Sequence, residues 1–283
     1  MSLTLQQFLD SEHIHLWIDD TAYIDTLLAK GQTPWLDVTA FIALKRTAQS
    51  LLKSDIIQLP IAPICQAWLQ QHPELISQMA SKKRIGFALK TLLADELLRQ
   101  HLRTLVQTLK ASFSHTALAL QCPSPQAWLI AAYQWAHGIQ DDATEKNDML
   151  IDIEDDDIDS ASVYIADFLR ILGESELNIL LLKESKNKDT RLDLYQPVLN
   201  VASHYAWDIA LHCQSMNSTF TAPKDLFLIS PHSTQCSILP EEYWSHNADN
   251  IAVAQNFIFI DIPAYTQPEW VLSCLNALRT QTA

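Results

Sequence analysis

The chain has 283 residues, and 48% of them are hydrophobic, so it can bury a large core and is not expected to be disordered. Its 33 acidic and 19 basic residues give a formal net charge of −14, which repels nucleic-acid backbones and anionic membrane surfaces. The four glycines, Gly31, Gly86, Gly138 and Gly173, cannot form a glycine-rich dinucleotide- or phosphate-binding motif, so the common nucleotide-binding folds lose their main support.

Short apolar runs alternate with helical patterns along the chain. In chain order, the runs that predict strands are residues 15–19, 56–61, 117–121, 178–182, 207–212, 226–230 and 257–262. The segments with helical periodicity are residues 39–53, 81–110, 126–136, 160–172, 194–205 and 268–280. The strands are continuously apolar, which is typical of parallel strands that are covered on both faces. An eighth strand is expected within residues 247–253 or nearby.

This alternation predicts an α/β protein, a single (β/α)8 barrel of the TIM type over residues 1–283. A doubly wound parallel sheet is the alternative. In a closed barrel the first and last strands, 15–19 and 257–262, would lie in one sheet without an exposed edge.

The location of the protein is inferred from what its sequence lacks. The first 17 residues do not resemble a signal peptide, and no run approaches the ~18 consecutive apolar residues of a membrane helix. The five cysteines are odd in number and scattered, which fits reduced thiols. We therefore expect a cytoplasmic protein with a small-molecule ligand and no nucleic-acid or membrane partner. A homodimer is left open.

One charge run stands out, at residues 151–159 (IDIEDDDID). The interpretation that we favour is that its aspartates begin a helix, where they interact well with the positive end of the helix dipole. The alternative is a site for a hard divalent cation, but the run lacks the glycine and glutamate spacing of a calcium loop.

Polar side chains stand at the ends of several predicted strands. In barrels, catalytic groups come from these carboxyl ends and from the loops that follow them. We predict a cavity there, lined by some of Trp17, Asp19, Gln121, Glu184, His212, His232 and Asp261. Its expected ligand is small and mostly apolar, with one or two polar groups. The alternative is that strand ends are polar only because the chain emerges into solvent.

Three passages carry a resemblance to a known superfamily. Residues 118–128 (LALQCPSPQAW) are typical of a strand followed by Ser-Pro and a helix. Residues 178–184 (NILLLKE) are typical of a strand that ends in Glu, and residues 209–213 (IALHC) of a strand that ends in His and Cys. They resemble the barrel superfamily of uroporphyrinogen decarboxylase and cobalamin-independent methionine synthase. The resemblance implies a divergent enzyme that acts on a small organic molecule in the barrel mouth, by methyl transfer or decarboxylation.

The same resemblance implies roles for individual residues. The catalytic acid/base groups would be His212, Glu184, Asp261 and Asp19, and the substrate-binding groups Trp17, Gln121 and His232. His212 is the best single candidate, because the ordinary pKa of histidine lies near neutrality.

The methyltransferase branch of the superfamily binds zinc through a His and a Cys that follow a strand, together with a distant Cys. Zinc makes a substrate thiolate nucleophilic at neutral pH. The resemblance therefore implies zinc as the cofactor, with Cys213 and Cys274 as ligands, although His212 and Cys213 are adjacent here. The alternative is that these cysteines are buried and structural. The Arg-containing N-terminal motif of the decarboxylase branch is not found, so uroporphyrinogen itself is not the expected substrate.

A second class of function is left open. The chain would then be a non-catalytic barrel that binds a small molecule or a partner protein and has lost the metal site.

Overall fold

The fold of the chain comes from a computed structural model, which describes residues 4–139, 153–185, 190–213, 226–231, 233–244 and 255–280. Eight parallel strands form a nearly closed barrel with alternating helices, which confirms the predicted (β/α)8 class. The strands are β1 His15–Asp19, β2 Ile56–Pro60, β3 Ala117–Pro123, β4 Ile179–Lys183, β5 Asp208–His212, β6 Leu226–Ile229, β7 Ser237–Ile238 and β8 Phe257–Asp261. Their order in the sheet is β6-β5-β4-β3-β2-β1-β8-β7.

Eleven helices belong to the described residues. They are α1 Leu5–Leu9, α2 Thr21–Leu27, α3 Val38–Leu52, α4 Ile61–Gln71, α5 Pro73–Met79, α6 Ile85–Leu93, α7 Glu96–Ser112, α8 Pro125–His137, α9 Asp155–Leu169, α10 Gln196–His204 and α11 Pro268–Thr280. Short 3₁₀ helices occur at Arg170–Leu172, Leu192–Leu194 and Glu241–Trp244. Within the same residues, no helix is both long and apolar enough to span a membrane.

The first and last strands lie side by side, as predicted. Strands β1 and β8 are paired in parallel over their whole length, and Asp19 and Asp261 are partners in the register. At the opposite seam, no strand pairing joins β6 to β7 in the part of the chain that the structure describes. Side chains bridge this seam instead: Gln235 Oε1 accepts from the Leu228 amide at 2.9 Å, and Cys236 Sγ donates to the Leu228 carbonyl at 3.5 Å.

The barrel interior is filled by large side chains that face small ones. Trp17, Phe257 and Phe259 pack together edge to face, with ring centroids 5.6–6.4 Å apart for the two tryptophan pairs. Ala119 and Ala210 lie in the same buried cluster and make room for these rings. Combining large and small residues in this way fills a barrel that is too narrow for eight bulky side chains in one layer.

The amino-terminal end of the barrel is closed by α1. Leu5 and Phe8 are buried against the interior cluster, and the Leu5 amide donates to Asp208 Oδ2 at 2.5 Å. Burial of two such side chains contributes about 3–6 kcal/mol. The barrel is therefore open to ligands from its carboxyl-terminal end.

Several local features differ from the sequence-based expectation. The predicted helix over 81–110 is two helices, α6 and α7, because the Asp95 side chain accepts from the Leu98 amide and begins a new helix there. Helix α4 was not predicted, because it begins directly after β2 and contains Pro63. In the structure Pro63 lies in the first turn of the helix, where a proline is tolerated. Helices α1, α2 and α5 are also additions. The eighth strand is β7, whereas residues 247–253 lie outside the described residues.

The acidic run begins a helix, as we favoured. Glu154 is the N-cap of α9, and Asp155, Asp156 and Asp157 form its first turn. Asp155 also forms a two-pronged ion pair with Arg191 at 2.5 and 2.8 Å.

Candidate functional site

A cleft of about 810 Å³ opens at the carboxyl-terminal end of the barrel. Its floor is formed by strand ends, one wall by the chain between α2 and α3, and the other wall by one face of α4. The lining residues are Asp19, Gln121, Lys183 and Asp261 from the strand ends, residues 31–37 from the first wall, and Pro63, Gln66, Ala67, Gln70 and Gln71 from α4, with Thr21, Ala22, Asp25 and Pro60 between them.

The centre of the floor is an ion pair. Lys183 Nζ lies 3.5 Å from Asp19 Oδ2, and the lysine side chain is 37% exposed whereas the aspartate side chain is 6% exposed. Burial alone would raise the pKa of Asp19, but the Lys183 ammonium and the Thr21 amide, which donates at 3.2 Å, outweigh it and hold that pKa below its usual value. Asp19 is therefore ionised at neutral pH, and Lys183 faces both Asp19 and the cleft.

A chain of amide groups supports the floor from below. Trp17 Nε1 donates to Gln58 Oε1 at 2.9 Å, and Gln58 Nε2 donates to Gln121 Oε1 at 2.5 Å. Gln121 uses its carbonyl oxygen in this chain of bonds, and its Nε2 can donate toward the cleft. Trp17 is fully buried in the barrel interior and does not line the cleft, so its predicted contact with substrate is not supported by its position.

His212 lies deeper than the cleft, beside Lys183. The two residues are partners in the β4–β5 register, and the imidazole packs against the Phe259 ring at a centroid distance of 4.8 Å. Burial, with a smaller contribution from the Lys183 ammonium, lowers the pKa of His212 to about 4, although Asp19 opposes this shift. Its Nδ1 is buried without a hydrogen-bond partner among the described residues. His212 is thus a neutral imidazole next to the ion pair.

Glu184 does not reach the barrel mouth. It follows Lys183, and successive residues of a strand face opposite sides, so its side chain points into the surrounding helical layer. There Ser124 Oγ donates to Glu184 Oε2 at 2.5 Å and Tyr195 OH donates to Oε1 at 2.7 Å. Burial raises the pKa of Glu184, and the two hydroxyl donors only partly offset this. Glu184 is therefore one of the candidate residues that do not line the cleft.

The two candidate zinc ligands are far apart in the fold. Cys213 follows inward-facing His212, points outward and packs in the hydrophobic cluster beneath α4–α10. Cys274 lies on α11, in a different cluster against β1 and β8. All five cysteines are free and buried, and nowhere in the described residues do three His, Cys, Asp or Glu side chains form a metal-binding group. The sulfur donors therefore do not fit the zinc site that the resemblance implies.

Of the remaining predicted positions, Asp19, Gln121 and Asp261 meet in the cleft, and His232 lies outside the described residues. Sequence reasoning did not assign a role to Lys183 or Gln58. The inward position of Lys183 could have been predicted from the alternation of side chains along a strand. Leu181 and Ile179, two and four residues before it, both face the barrel interior, so Lys183 is on the same side. No feature of the sequence predicted that residues 31–37 and α4 form the walls of the cleft.

The cleft lining combines apolar side chains with acidic and amide groups. Of its four carboxylates, two are used structurally: Asp25 accepts from Thr33 Oγ1 at 2.6 Å, and Asp37 caps α3 through the Ala40 amide at 2.9 Å. Asp19 pairs with Lys183, the one lysine of the lining, and Asp261 lines the same cleft from the end of β8. Uncharged amides of glutamine supply most of the other polar groups.

Comparisons with known proteins add no assignment: no protein-family model, no curated protein and no solved structure matches this chain.

Proposed function

We propose that the chain is an enzyme that acts on a small polar organic molecule in the cleft, by acid–base chemistry of the lyase type. The observation that carries the proposal is the ion pair of Asp19 and Lys183 at the cleft floor, 3.5 Å apart. Membership of the uroporphyrinogen decarboxylase and methionine synthase-like superfamily is part of this proposal. It is supported by the barrel fold and by the order of the three resembling passages.

The two charged groups of the floor suit complementary roles. Asp19 is ionised and would accept a proton from the substrate. An ammonium group has three donors, so Lys183 can keep its contact with Asp19 and still donate to an oxygen on which negative charge develops. Asp261, whose side chain is exposed at the rim, would orient a hydroxyl or amine group of the substrate.

The charge of the lining narrows the substrate class. Asp19, Asp25, Asp37 and Asp261 outnumber Lys183, so a polyanion would be repelled. The glutamine amides donate and accept hydrogen bonds without adding charge. We therefore expect an uncharged or cationic molecule with several hydroxyl, amide or amine groups, and at most one anionic group to face Lys183.

Of the two reaction types that the resemblance implies, zinc-dependent methyl transfer has the weaker support. The reason is the position of the donors: Cys213 and Cys274 lie in separate hydrophobic clusters outside the barrel, and neither lines the cleft. Asp19, Lys183 and Asp261, in contrast, line one cavity.

A non-catalytic binding barrel is the second candidate. It is favoured by the fact that the mouth groups satisfy one another, Asp19 with Lys183 and Gln58 with Gln121. In that case the cleft would bind its ligand and release it unchanged.

The test is a search for turnover followed by substitution of the floor. Wild-type protein is incubated with polyols, amino alcohols and small hydroxy acids, and ¹H NMR follows loss of each compound. For a compound that is consumed, Lys183→Met and Asp19→Asn should each lower the rate about 10²- to 10⁴-fold, the usual contribution of an acid–base group. Lys83→Met, at an exposed position between α5 and α6, is the control and should keep the wild-type rate.

Equal rates in wild type and Lys183→Met would overturn the proposed role of the ion pair. A compound that binds, as measured by thermal shift, and is recovered unchanged would favour the binding barrel instead.

A further inference from the structure

We infer that the chain carries a second ligand site, for the ring of a saccharide, in a pocket beside the cleft. The pocket has a volume of about 390 Å³ and is lined by Trp244, Pro263, Tyr265, Thr266, Gln267 and Trp270. This site goes beyond the proposed function and does not depend on it, because it shares no lining residue with the cleft.

The pocket lies on the functional end of the barrel. Trp244 ends the 3₁₀ helix after β7, and residues 263–267 connect β8 to α11. Because the strands are parallel, the segments that follow β7 and β8 emerge at the same carboxyl-terminal end as the cleft. Asp261 of the cleft precedes Pro263 of the pocket by two residues, so the two cavities are neighbours.

Three aromatic side chains give the pocket a floor, a wall and a rim. The Trp244 side chain is 7% exposed and forms the floor. Trp270 is held as the wall, since its Nε1 donates to the Trp244 carbonyl at 3.0 Å. Tyr265 forms the rim and is 88% exposed, which is unusual for so large a ring. The negative face of an aromatic ring attracts C–H groups, and a pyranose presents a row of them on each face.

Two polar side chains of the lining can bind hydroxyl groups. Thr266 offers a hydroxyl and Gln267 an amide, and each of these groups both donates and accepts hydrogen bonds.

Charge distinguishes a saccharide from a phosphorylated ligand. None of the described residues that line the pocket is charged, and the whole chain has a net charge of −14. A phosphate would find neither a cation nor a favourable field there. The combination of aromatic faces and neutral polar groups fits an uncharged ring that bears hydroxyl groups.

The test is saturation-transfer NMR with maltose, cellobiose and lactose, and with adenosine as the flat-ring comparison. We expect transfer from wild-type protein to the ring protons of at least one disaccharide. Tyr265→Ala and Trp270→Ala should weaken binding about 3- to 10-fold, the effect of one lost aromatic contact. Tyr133→Ala, at a partly buried tyrosine on α8, is the control and should leave binding unchanged.

Tyr265 is exposed, so Tyr265→Ala removes the rim without loss of packing. Absence of transfer to all three disaccharides would overturn the inference, as would equal transfer in wild type and Tyr265→Ala. Binding of adenosine alone would also overturn it and indicate a nucleobase pocket. Retention of disaccharide binding in Lys183→Met would support it and separate the pocket from the acid–base cleft.

Discussion

Removal of the Lys45 ammonium should destabilise the protein strongly, because Lys45 neutralises a buried carboxylate behind the cleft wall. Lys45 on α3 is 5% exposed and Asp20 is 7% exposed. Lys45 Nζ lies 2.7 and 3.1 Å from the two carboxylate oxygens of Asp20. Breaking one side of such a pair typically costs about 3–5 kcal/mol, since the other charge stays buried and uncompensated. Lys45→Met should therefore lose a large part of a total stability of about 5–15 kcal/mol.

The pH dependence follows from the pKa of Asp20. Burial raises this pKa, and Lys45 is the main opposing influence. A carboxyl group whose folded pKa is raised contributes stability below its unfolded pKa, of about 4, and loses it as the pH rises through the folded value. Without Lys45 the folded pKa rises further. The stability lost by Lys45→Met should therefore be large at neutral pH and small well below about pH 4, where Asp20 is protonated in both states.

Urea unfolding of wild type, Lys45→Met and the double variant Asp20→Asn/Lys45→Met measures this directly. With a slope of about 3 kcal/mol per molar urea, the single variant should unfold at about 1–1.7 M less urea than wild type. The double variant should recover most of the difference, because no charge stays buried. Lys83→Met should change stability by less than about 0.5 kcal/mol. A loss below about 1 kcal/mol in Lys45→Met, or a double variant no better than the single one, would refute the reasoning.

Three further predictions concern other buried groups. Tyr195→Phe removes the hydroxyl that donates to Glu184 at 2.7 Å and should cost about 1–3 kcal/mol in urea unfolding; a change below about 0.5 kcal/mol would contradict the buried-carboxylate interpretation. Gln235→Ala leaves the Leu228 amide without its side-chain acceptor at the β6–β7 seam, so hydrogen exchange at that amide should accelerate, and an unchanged rate would mean that the seam is closed in another way. The His212 ring should stay neutral in NMR titrations above about pH 5, because its pKa is lowered to about 4, and a midpoint between pH 6 and 7 would contradict its burial. Since the folded pKa is depressed, the stability that neutral His212 contributes is complete above the unfolded pKa of about 6.5 and is lost as the pH falls toward 4.

The strands show how much of the fold is encoded locally. Each predicted apolar run contains or overlaps an observed strand, because parallel strands that are covered on both faces must be apolar throughout. The break between α6 and α7 was missed, although Asp95 is an N-cap residue within the otherwise continuous helical pattern. The short strand β7 was not readable, because two residues carry no periodicity.

The candidate site was only partly predictable. The positions of Asp19, Gln121 and Asp261 at strand ends predicted that they would line a cavity, and all three line one cleft. Glu184 does not line the cleft, because a shift of one residue along a strand moves a side chain to the opposite face. Lys183, one residue earlier, occupies the position in the mouth.

By itself, the sequence determined the alternation of strands and helices, the apolar layers and the acidic surface, because these depend on local composition and periodicity. Only the tertiary structure decided which polar strand ends meet. Asp19 and Lys183 are separated by 164 positions in the chain, and their contact depends on barrel closure and on the register of every strand between them. The walls of the cleft depend on how α4 and residues 31–37 pack over the strand ends. Contacts of this kind leave no local pattern, since the free energy that selects them comes from the packing of the whole barrel.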